Sequence, residues 1–597
     1  MIQQKITRPL RPRSEASRRA MPALLDASRG RSRVKTITTK TPAKQQLRIV
    51  PLGGVEEVGR NMMFLEYGND IVIIDMGLQF PEENMPGIDF IIPNTAYLEE
   101  HKDRIRGVVI THGHFDHIGA ISYVAHRLGN PPIFAMPLTR GIILKRHEDF
   151  SHLPKLNMHE LKAEQELNLG VFRLEFFHVN HNIFDTVGVV VYTPEGIVCH
   201  TADFKFDNNP VGDKPADYAK MAELSRKGVL LLMSDSTGAK DPGHSISEQT
   251  IMENLEDIFE HTKGRIITAT FASLVSRIQQ LIWLAEKFGR KVVIDGYSMR
   301  NIVALARELG YIKVQKDTFV DIKEAHHYTE NKLLFIVTGA QGEAHAALMR
   351  IIRREHRFVR LQKGDTVVFS SSAIPGNERS IQNMQDIIYR QGARVFHYQM
   401  MDIHAGGHAK AEDLKLMINL MRPKFFMPIH GNYFMLRIHA DLAESVGIPS
   451  ENIVIPSNGN VVELTSESVA IAKETVPANY VFVDGLGVGD VKEIVLRDRQ
   501  AMANDGMFVV VALVDAKTGK VKGSPDIISR GFIYLKESQQ LLHEARGVTR
   551  RIIEEITTQM HPINAQYLRE ELRDKLGLFL FQKTSRRPMV LPVVIEV

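Results

Sequence analysis

Cysteine is almost absent. Cys199 stands alone in 597 residues, which excludes an intrachain disulfide framework and fits a reducing compartment. It lies in an apolar stretch and reads as a small buried hydrophobe. Long hydrophobic runs are missing as well. Stretches such as 187–192 stop at strand length, far short of the roughly 18–20 residues a bilayer span needs. The N-terminus has no apolar segment followed by a small-residue cleavage site, so secretion is not expected. A cytoplasmic protein with no membrane partner is the resulting expectation. No internal repeat or low-complexity tract occurs outside the first 46 residues.

Net charge is also small, at +4, but unevenly spread. Residues 1–46 carry twelve Lys/Arg against two Asp/Glu, a surplus of +10, so the remainder carries −6. This extension has little apolar periodicity and many Ser, Thr, Pro and Arg, which predicts a basic arm without fixed structure. Such an arm suits salt-sensitive contact with nucleic-acid phosphates, or it is a solvated tail with no such role.

What is present from residue 47 onward is a two- or three-unit α/β chain, since 597 residues exceed one core. Short apolar strands at 48–52, 61–66 and 71–75, separated by Gly and Asn turns, predict a sheet built from hairpins. Between 251 and 295, helix and strand patterns alternate, and strands at 366–369 and 394–398 flank a helix at 380–391. That alternation predicts a doubly wound insert. Residues 466–479 read as a linker. Beyond them, strands at 507–515, 531–535 and 590–597 and helices at 538–560 and 565–576 predict a compact α+β unit.

The chemistry concentrates after the apolar segment 108–110, in Thr111-His112-Gly113-His114-Phe115-Asp116-His117. Alternation along an extended chain sends His112 and His114 the same way, while Asp116 and His117 open a helix. Four ligand-type side chains thus fall within six residues, in two pairs that can face two adjacent cations. The donors are nitrogen and oxygen only, which suits Zn²⁺ and tolerates Mn²⁺ or Mg²⁺. A lone histidine is usually structural; this cluster is not a lone histidine. Three more candidates each follow an apolar strand: His181 after 174–179, Asp203 after 196–201, and His430 after 424–429. Ligands of one site gather at neighbouring strand ends, and Asp203 is suited to bridge two cations.

With Asp75 in Ile73-Ile74-Asp75-Met76-Gly77, these residues resemble the motifs of the metallo-β-lactamase superfamily. Asp235 in Ser234-Asp235-Ser236-Thr237, His408 and His430 resemble, in order, the motifs of its β-CASP members. Four segments resemble the ribonuclease J family: Leu52-Gly53-Gly54-Val55-Glu56-Glu57-Val58-Gly59-Arg60-Asn61-Met62, Thr338-Gly339-Ala340-Gln341-Gly342-Glu343, Pro428-Ile429-His430-Gly431-Asn432-Tyr433 and Pro525-Asp526-Ile527-Ile528-Ser529-Arg530-Gly531-Phe532. The ending Arg586-Arg587-Pro588-Met589-Val590-Leu591-Pro592 does so too. The likeness runs from about residue 47 to the C-terminus.

The resemblance implies an α/β fold: a metallo-β-lactamase αββα sandwich over 47–245 and 400–465, an inserted α/β β-CASP domain over 246–399, a linker over 466–492 and a C-terminal α+β domain over 493–597. It implies a two-metal RNA hydrolase with exonuclease and endonuclease action. His112, His114 and His181 would hold one Zn²⁺, and Asp116, His117 and His430 the other, with Asp203 bridging and Asp75 orienting ligands. His408 would act as general acid, held by Asp235. The segment His404-Ala405-Gly406-Gly407-His408 would hold an RNA phosphate, with Ser276 near the RNA end. Relatives carry serine where this chain has Gly406, and Asn and His where it has Leu274 and Ser276. Weaker sensing of a 5′-monophosphate and more internal cleavage are therefore expected. Asp89 and Asp484 match positions of a structural Ca²⁺. Expected partners are RNA, a second copy in a homodimer or higher oligomer, and other RNA-decay proteins or the ribosome. A DNA substrate and an inactive RNA-binding scaffold remain as alternatives.

Overall fold

The computed structural model describes residues 46–597 apart from 83, 163, 373–376, 405, 486, 492, 535–537 and 560–563. The basic extension through residue 45 and Ala405 of the expected phosphate-holding segment lie outside these residues.

Two sheets face one another. The first has eight strands in the order Val469–Thr475, Asn460–Leu464, Leu47–Gly53, Met62–Tyr67, Asp70–Ile74, Ile105–Val109, Ile133–Ala135 and Met158–Glu160. The second has six, in the order Phe425–Ile429, Val229–Asp235, Ile197–His200, Val187–Tyr192, Phe172–His178 and Leu167–Leu169. Successive side chains in a strand point to opposite faces. Ile49, Leu65, Val72 and Val109 therefore meet Leu174, Val189, Leu231 and Met427 between the sheets. The outward face of the first sheet, including Phe64, Ile73 and Val108, packs on Ile118, Ile121 and Val124. That of the second, including Val190, Cys199 and Phe426, packs on Met221, Leu414 and Met417. Strands buried on both faces need apolar residues at consecutive positions, which is why they read as continuous hydrophobic runs. Each such Val, Leu or Ile contributes on the order of 1.5–3 kcal/mol by burial. The result is the αββα sandwich.

Between Asp235 and His430 the chain builds a separate five-stranded sheet in the order Lys291–Asp295, Leu333–Val337, Ile266–Ala269, Thr366–Phe369 and Arg394–His397. All four pairings are parallel, and helices such as Val275–Lys287 and Glu378–Arg390 cover the sheet. This is the doubly wound insert. It rests on the sandwich through stacking of Phe184 and Tyr311, whose hydroxyl donates to Asp185 Oδ2 at 2.5 Å. Leu305 packs against Gly141, where a Cβ would come within 2.9 Å of it.

Two expectations need correction. The span 466–492 is not a free linker: Val469–Thr475 pairs antiparallel with Asn460–Leu464 and extends the first sheet. Val481–Asp484 pairs with Phe90–Ile92. Val469–Thr475 is an edge strand with mostly exposed side chains, so its polar composition hid it. Likewise the strand expected at 531–535 is not seen over 531–534; Val521–Arg530 forms it instead, paired antiparallel with Met507–Val514. Gly523 and Pro525 inside it disguised the alternation. Met507–Val514 also pairs in parallel with Met589–Glu596, and helices Gln539–Gln559 and Ala565–Thr584 cover one face of this small sheet. Among the described residues, no helix is long and apolar enough to cross a membrane.

Candidate metal centre

The centre forms where strands of both sheets end. Ile105–Val109 delivers Thr111 and His112, and the short helix Phe115–Ile118 carries Asp116 and His117. Phe172–His178 leads to His181, Ile197–His200 to Asp203, and Phe425–Ile429 to His430. The last of these strands lies parallel to Val229–Asp235, which ends at Asp235.

Two donor groups, each with its atoms within 4.8 Å of one another, match the expected sets, His112, His114 and His181, and Asp116, His117, Asp203 and His430; a third joins Asp203 and His430 to Asp235 and His408. His112 Nε2 and His181 Nε2 each lie 3.1 Å from His114 Nδ1. Asp203 Oδ2 lies 3.7 Å from His112 Nε2, 3.9 Å from His181 Nε2 and 3.3 Å from His117 Nε2. One carboxylate oxygen thus faces both groups. His430 Nδ1 meets Asp203 Oδ1 at 2.7 Å, while its buried Nε2 lies 3.5 Å from Asp116 Oδ2 and makes no hydrogen bond.

Burial pushes His112 and His181 well below the ordinary histidine value and His114 down to about 4, so these rings are neutral and offer lone pairs. Burial opposes the charged form of His430 too, but Asp203 and Asp116 override it and raise the group to about 10. Burial likewise opposes charge on His117, yet Asp203, Asp116 and Asp75 hold it well above its ordinary value. Converging imidazole lone pairs, two carboxylates and an orphaned Nε2 make a donor set that divalent cations fit. Protons on His117 and His430 balance those carboxylates, and a bound cation would take over that role.

Asp75 supports the loop from below. Its Oδ1 accepts from the Thr111 N–H at 2.8 Å, and its Oδ2 from Thr111 Oγ1 at 2.8 Å. The same Oδ2 meets His117 Nδ1 at 2.7 Å, leaving Nε2 for the centre.

His408 Nδ1 lies 2.8 Å from Asp235 Oδ2, so a pair 173 residues apart is in contact. Burial lowers His408, but the Asp235 charge and hydrogen bond outweigh it and raise the group above its ordinary value. The neighbouring segment divides its tasks. The Gly407 carbonyl accepts from His181 Nδ1 at 2.6 Å, and a Cβ on Gly407 would lie 2.2 Å from the His181 ring. Gly406 is exposed with open space around it. His404 is pushed down to about 3 by burial and by the nearby Arg277 charge. Ser276 Oγ donates to the Asn182 carbonyl at 3.4 Å and lines a small cavity with His181, Lys205 and Glu248. Arg277 is fully engaged: it binds Glu248, Gln280, Ser370 and the Ile403 carbonyl. Asp89 and Asp484 flank paired strands but form no ligand cluster among the described residues. Asp484 instead pairs with Arg499 at 2.5 Å, and Asp89 accepts from the Gly485 N–H.

Several supporting residues escape sequence reasoning. Asn61 Nδ2 lies 3.1 Å from His117 Nε2 and 3.5 Å from Asp116 Oδ2. Gly77 is required because a Cβ would lie 1.6 Å from the Asp116 carbonyl oxygen. His200 Nδ1 accepts from the Ala202 N–H, steadying a residue with φ +58° just before Asp203. Asp75 and His430 also hold positive φ, at 60° and 50°. Asn61 stands in a quoted motif, which was its one signal; a histidine in an apolar strand gives none.

Comparison with known proteins gives matches along most of the chain. Residues 55–257 match the metallo-beta-lactamase superfamily, and 263–388 match the ribonuclease J beta-CASP domain. Residues 397–456 match a Zn-dependent metallo-hydrolase RNA specificity domain, and 494–597 the ribonuclease J C-terminal domain. Ribonuclease J 1 of Streptococcus pyogenes serotype M3 is 42% identical over 92% of this chain and 98% of its own length. Ribonuclease J2 of Bacillus subtilis is 36% identical over 93% of this chain and 99% of its own. A solved structure of a protein of unknown function from Enterococcus faecalis V583 covers 70% of this chain and all of its own, at 16% identity and a TM-score of 0.52, a likeness of fold alone.

Proposed function

Because the chain belongs to the ribonuclease J family, and so is a metal-dependent ribonuclease, we propose how its own residues divide that work. His112, His114 and His181 would hold one divalent cation and Asp116, His117 and His430 the other, with the Asp203 carboxylate within reach of both groups. Nitrogen and oxygen donors in this number support Zn²⁺. The cations, when bound, supply charge neutralisation for the phosphodiester and acidify water for attack on phosphorus.

His408 protonates the leaving oxygen from Nε2, because Asp235 holds its Nδ1 and raises the ring above its ordinary value. This contact, made beside both donor groups, is the observation that carries the assignment. Asp75 fixes the tautomer of His117, and the Gly407 carbonyl fixes that of His181.

The enzyme acts as both 5′-to-3′ exonuclease and endonuclease, with weak sensing of the RNA end. Three features support weak sensing: Gly406 lacks a hydroxyl, Ser276 spends its own on Asn182, and Leu274 is buried. A homodimer is part of the same proposal, supported by the uncovered face of the C-terminal sheet, where Leu513, Ile528, Val593 and Ile595 are each at least 41% exposed. The sandwich limits, 47–245 and 400–465, and the insert limits, 246–399, belong to the same proposal, supported by the five-stranded parallel sheet built between Asp235 and His430.

Digestion of end-labelled RNA bearing a 5′-monophosphate or a 5′-hydroxyl, beside matched DNA, tests the proposal. Similar RNA decay from both ends, with internal products and intact DNA, is expected. A large monophosphate preference refutes weak sensing. Cleavage that survives the double change His112→Ala and Asp116→Ala refutes the ligand assignment.

A further inference from the structure

The insert carries a second feature, away from the metal centre. Residues 350–364, Arg-Ile-Ile-Arg-Arg-Glu-His-Arg-Phe-Val-Arg-Leu-Gln-Lys-Gly, hold six cations against one acid. Arg350 pairs with Asp295, but Arg353, Arg354, Arg357, Arg360 and Lys363 are exposed and make no ion pair among the described residues. The fold adds Arg390 and Arg394, likewise exposed and unpaired. Contacts tie the group together. Arg354 Nε donates to Gln391 Oε1, and Gln391 Nε2 donates to the Ile352 carbonyl. Lys363 packs at Gly392, within 3.1 Å of where its Cβ would be, and the Arg360 carbonyl accepts from Arg265. The nearby Asp365 cannot neutralise the group, because it is buried and occupied by Arg265.

Two exposed aromatic rings lie among these cations: Phe358, 45% exposed with Arg357 over its face, and Tyr389, 54% exposed beside Arg390. Leaving several like charges together is unfavourable without a counter-charge. Arginines interleaved with open aromatic faces match the chemistry of phosphates and stacked bases. The location is remote from catalysis. Gln391, Lys363 and Arg394 lie at the amino ends of the strands Thr366–Phe369 and Arg394–His397. The carboxyl end at Phe369 leads to Ser370, which bonds Ile403 in the segment running to His404 and His408. A four-residue strand alone separates the two ends by about 13 Å.

We propose that this surface is a second RNA-binding site, gripping a part of a long RNA that does not occupy the catalytic cleft. The proposal rests on the ribonuclease reading above. Its ligand is a phosphodiester backbone with unpaired bases, held without sequence preference.

The test compares the full-length enzyme with a variant carrying Arg353→Ala, Arg354→Ala, Arg357→Ala and Arg360→Ala, and with the four matching Arg→Lys changes. The substrates are a short RNA oligonucleotide that fills only the cleft and an RNA several times longer. For the alanine variant, the Kd and KM for the long RNA should rise tenfold or more, with kcat unchanged. The slope of log affinity against log salt should fall by roughly 0.7–0.9 for each cation in contact. Cleavage of the short RNA should be unaffected, and the lysine variant should keep most of the salt slope. Unchanged long-RNA binding overturns the proposal and leaves the surface to an acidic protein. Equal losses on both RNAs also overturn it, by showing damage to the cleft or the fold. If the unaltered enzyme cuts neither RNA, the ribonuclease reading fails first and carries this proposal with it.

Discussion

The carbonyl oxygen of Gly407 lies 2.6 Å from Nδ1 of His181, so a backbone group 226 residues away fixes which imidazole nitrogen faces the metal centre. A Cβ at position 407 would come within 2.2 Å of that ring. Gly407→Ala should therefore displace His181 and cost 10–100-fold in metal affinity at the three-histidine group. Metal content per chain and the thermal unfolding midpoint check this together: metal should be lost while the fold persists. Full occupancy would show that the ring tolerates the methyl group.

His408→Ala should lower kcat by about 10²–10⁴ with metal content unchanged. In Asp235→Asn the sign follows from charge. Burial lowers His408 and Asp235 raises it, so removing that charge lets its pKa drop. The proton donor is then lost at lower pH, and the alkaline limb of the kcat profile should move downward. A limb that stays in place would assign it to another group.

Asp75→Asn keeps the size but loses the anionic acceptor shared by His117 and Thr111. A 10–100-fold weaker metal affinity is expected. Titration with Zn²⁺ or Mn²⁺ followed by a binding signal measures it apart from activity. Affinity equal to that of the unaltered chain would make Asp75 a turn residue only.

Glu248 is buried between Lys205 and Arg277. Burial alone would raise its pKa, but the two cations hold it well below the usual carboxylate range. A depressed folded pKa gives stability that is complete above the ordinary value of 4.5 and is lost as pH falls through the folded value. Glu248→Gln should cost about 3 kcal/mol at neutral pH, because two buried cations lose their partner. Denaturant unfolding at several pH values should show the difference narrowing only below the ordinary carboxylate value. A pH-independent difference would indicate lost packing instead.

Local chemistry was the part of the centre most legible in the sequence. His112 to His117 declare themselves because their ligand types sit within one turn of chain, and His181, Asp203 and His430 because each follows an apolar strand. The support around them was hidden for two reasons. The contacts of His408 with Asp235 and of Gly407 with His181 join distant segments, so spacing along the chain carries no trace of them. Asn61, His200 and Gly77 act through backbone geometry and tautomer choice, which residue type alone does not reveal. In the fold, runs buried on both faces were readable, whereas Val469–Thr475 looked like a linker because an exposed edge strand needs no apolar pattern.

The parallel pairing of Phe425–Ile429 with Val229–Asp235 has a consequence in time as well as space. Asp203 and His430 are in contact across 227 residues of chain. During synthesis at roughly 5–20 residues per second, tens of seconds separate the two residues. Through most of that interval the growing polypeptide carries His112, His114 and His181 without the Gly407 carbonyl that orients His181, and throughout it the second group lacks His430. The proposed second donor group can thus close only late, when a single strand slides into place beside its neighbour.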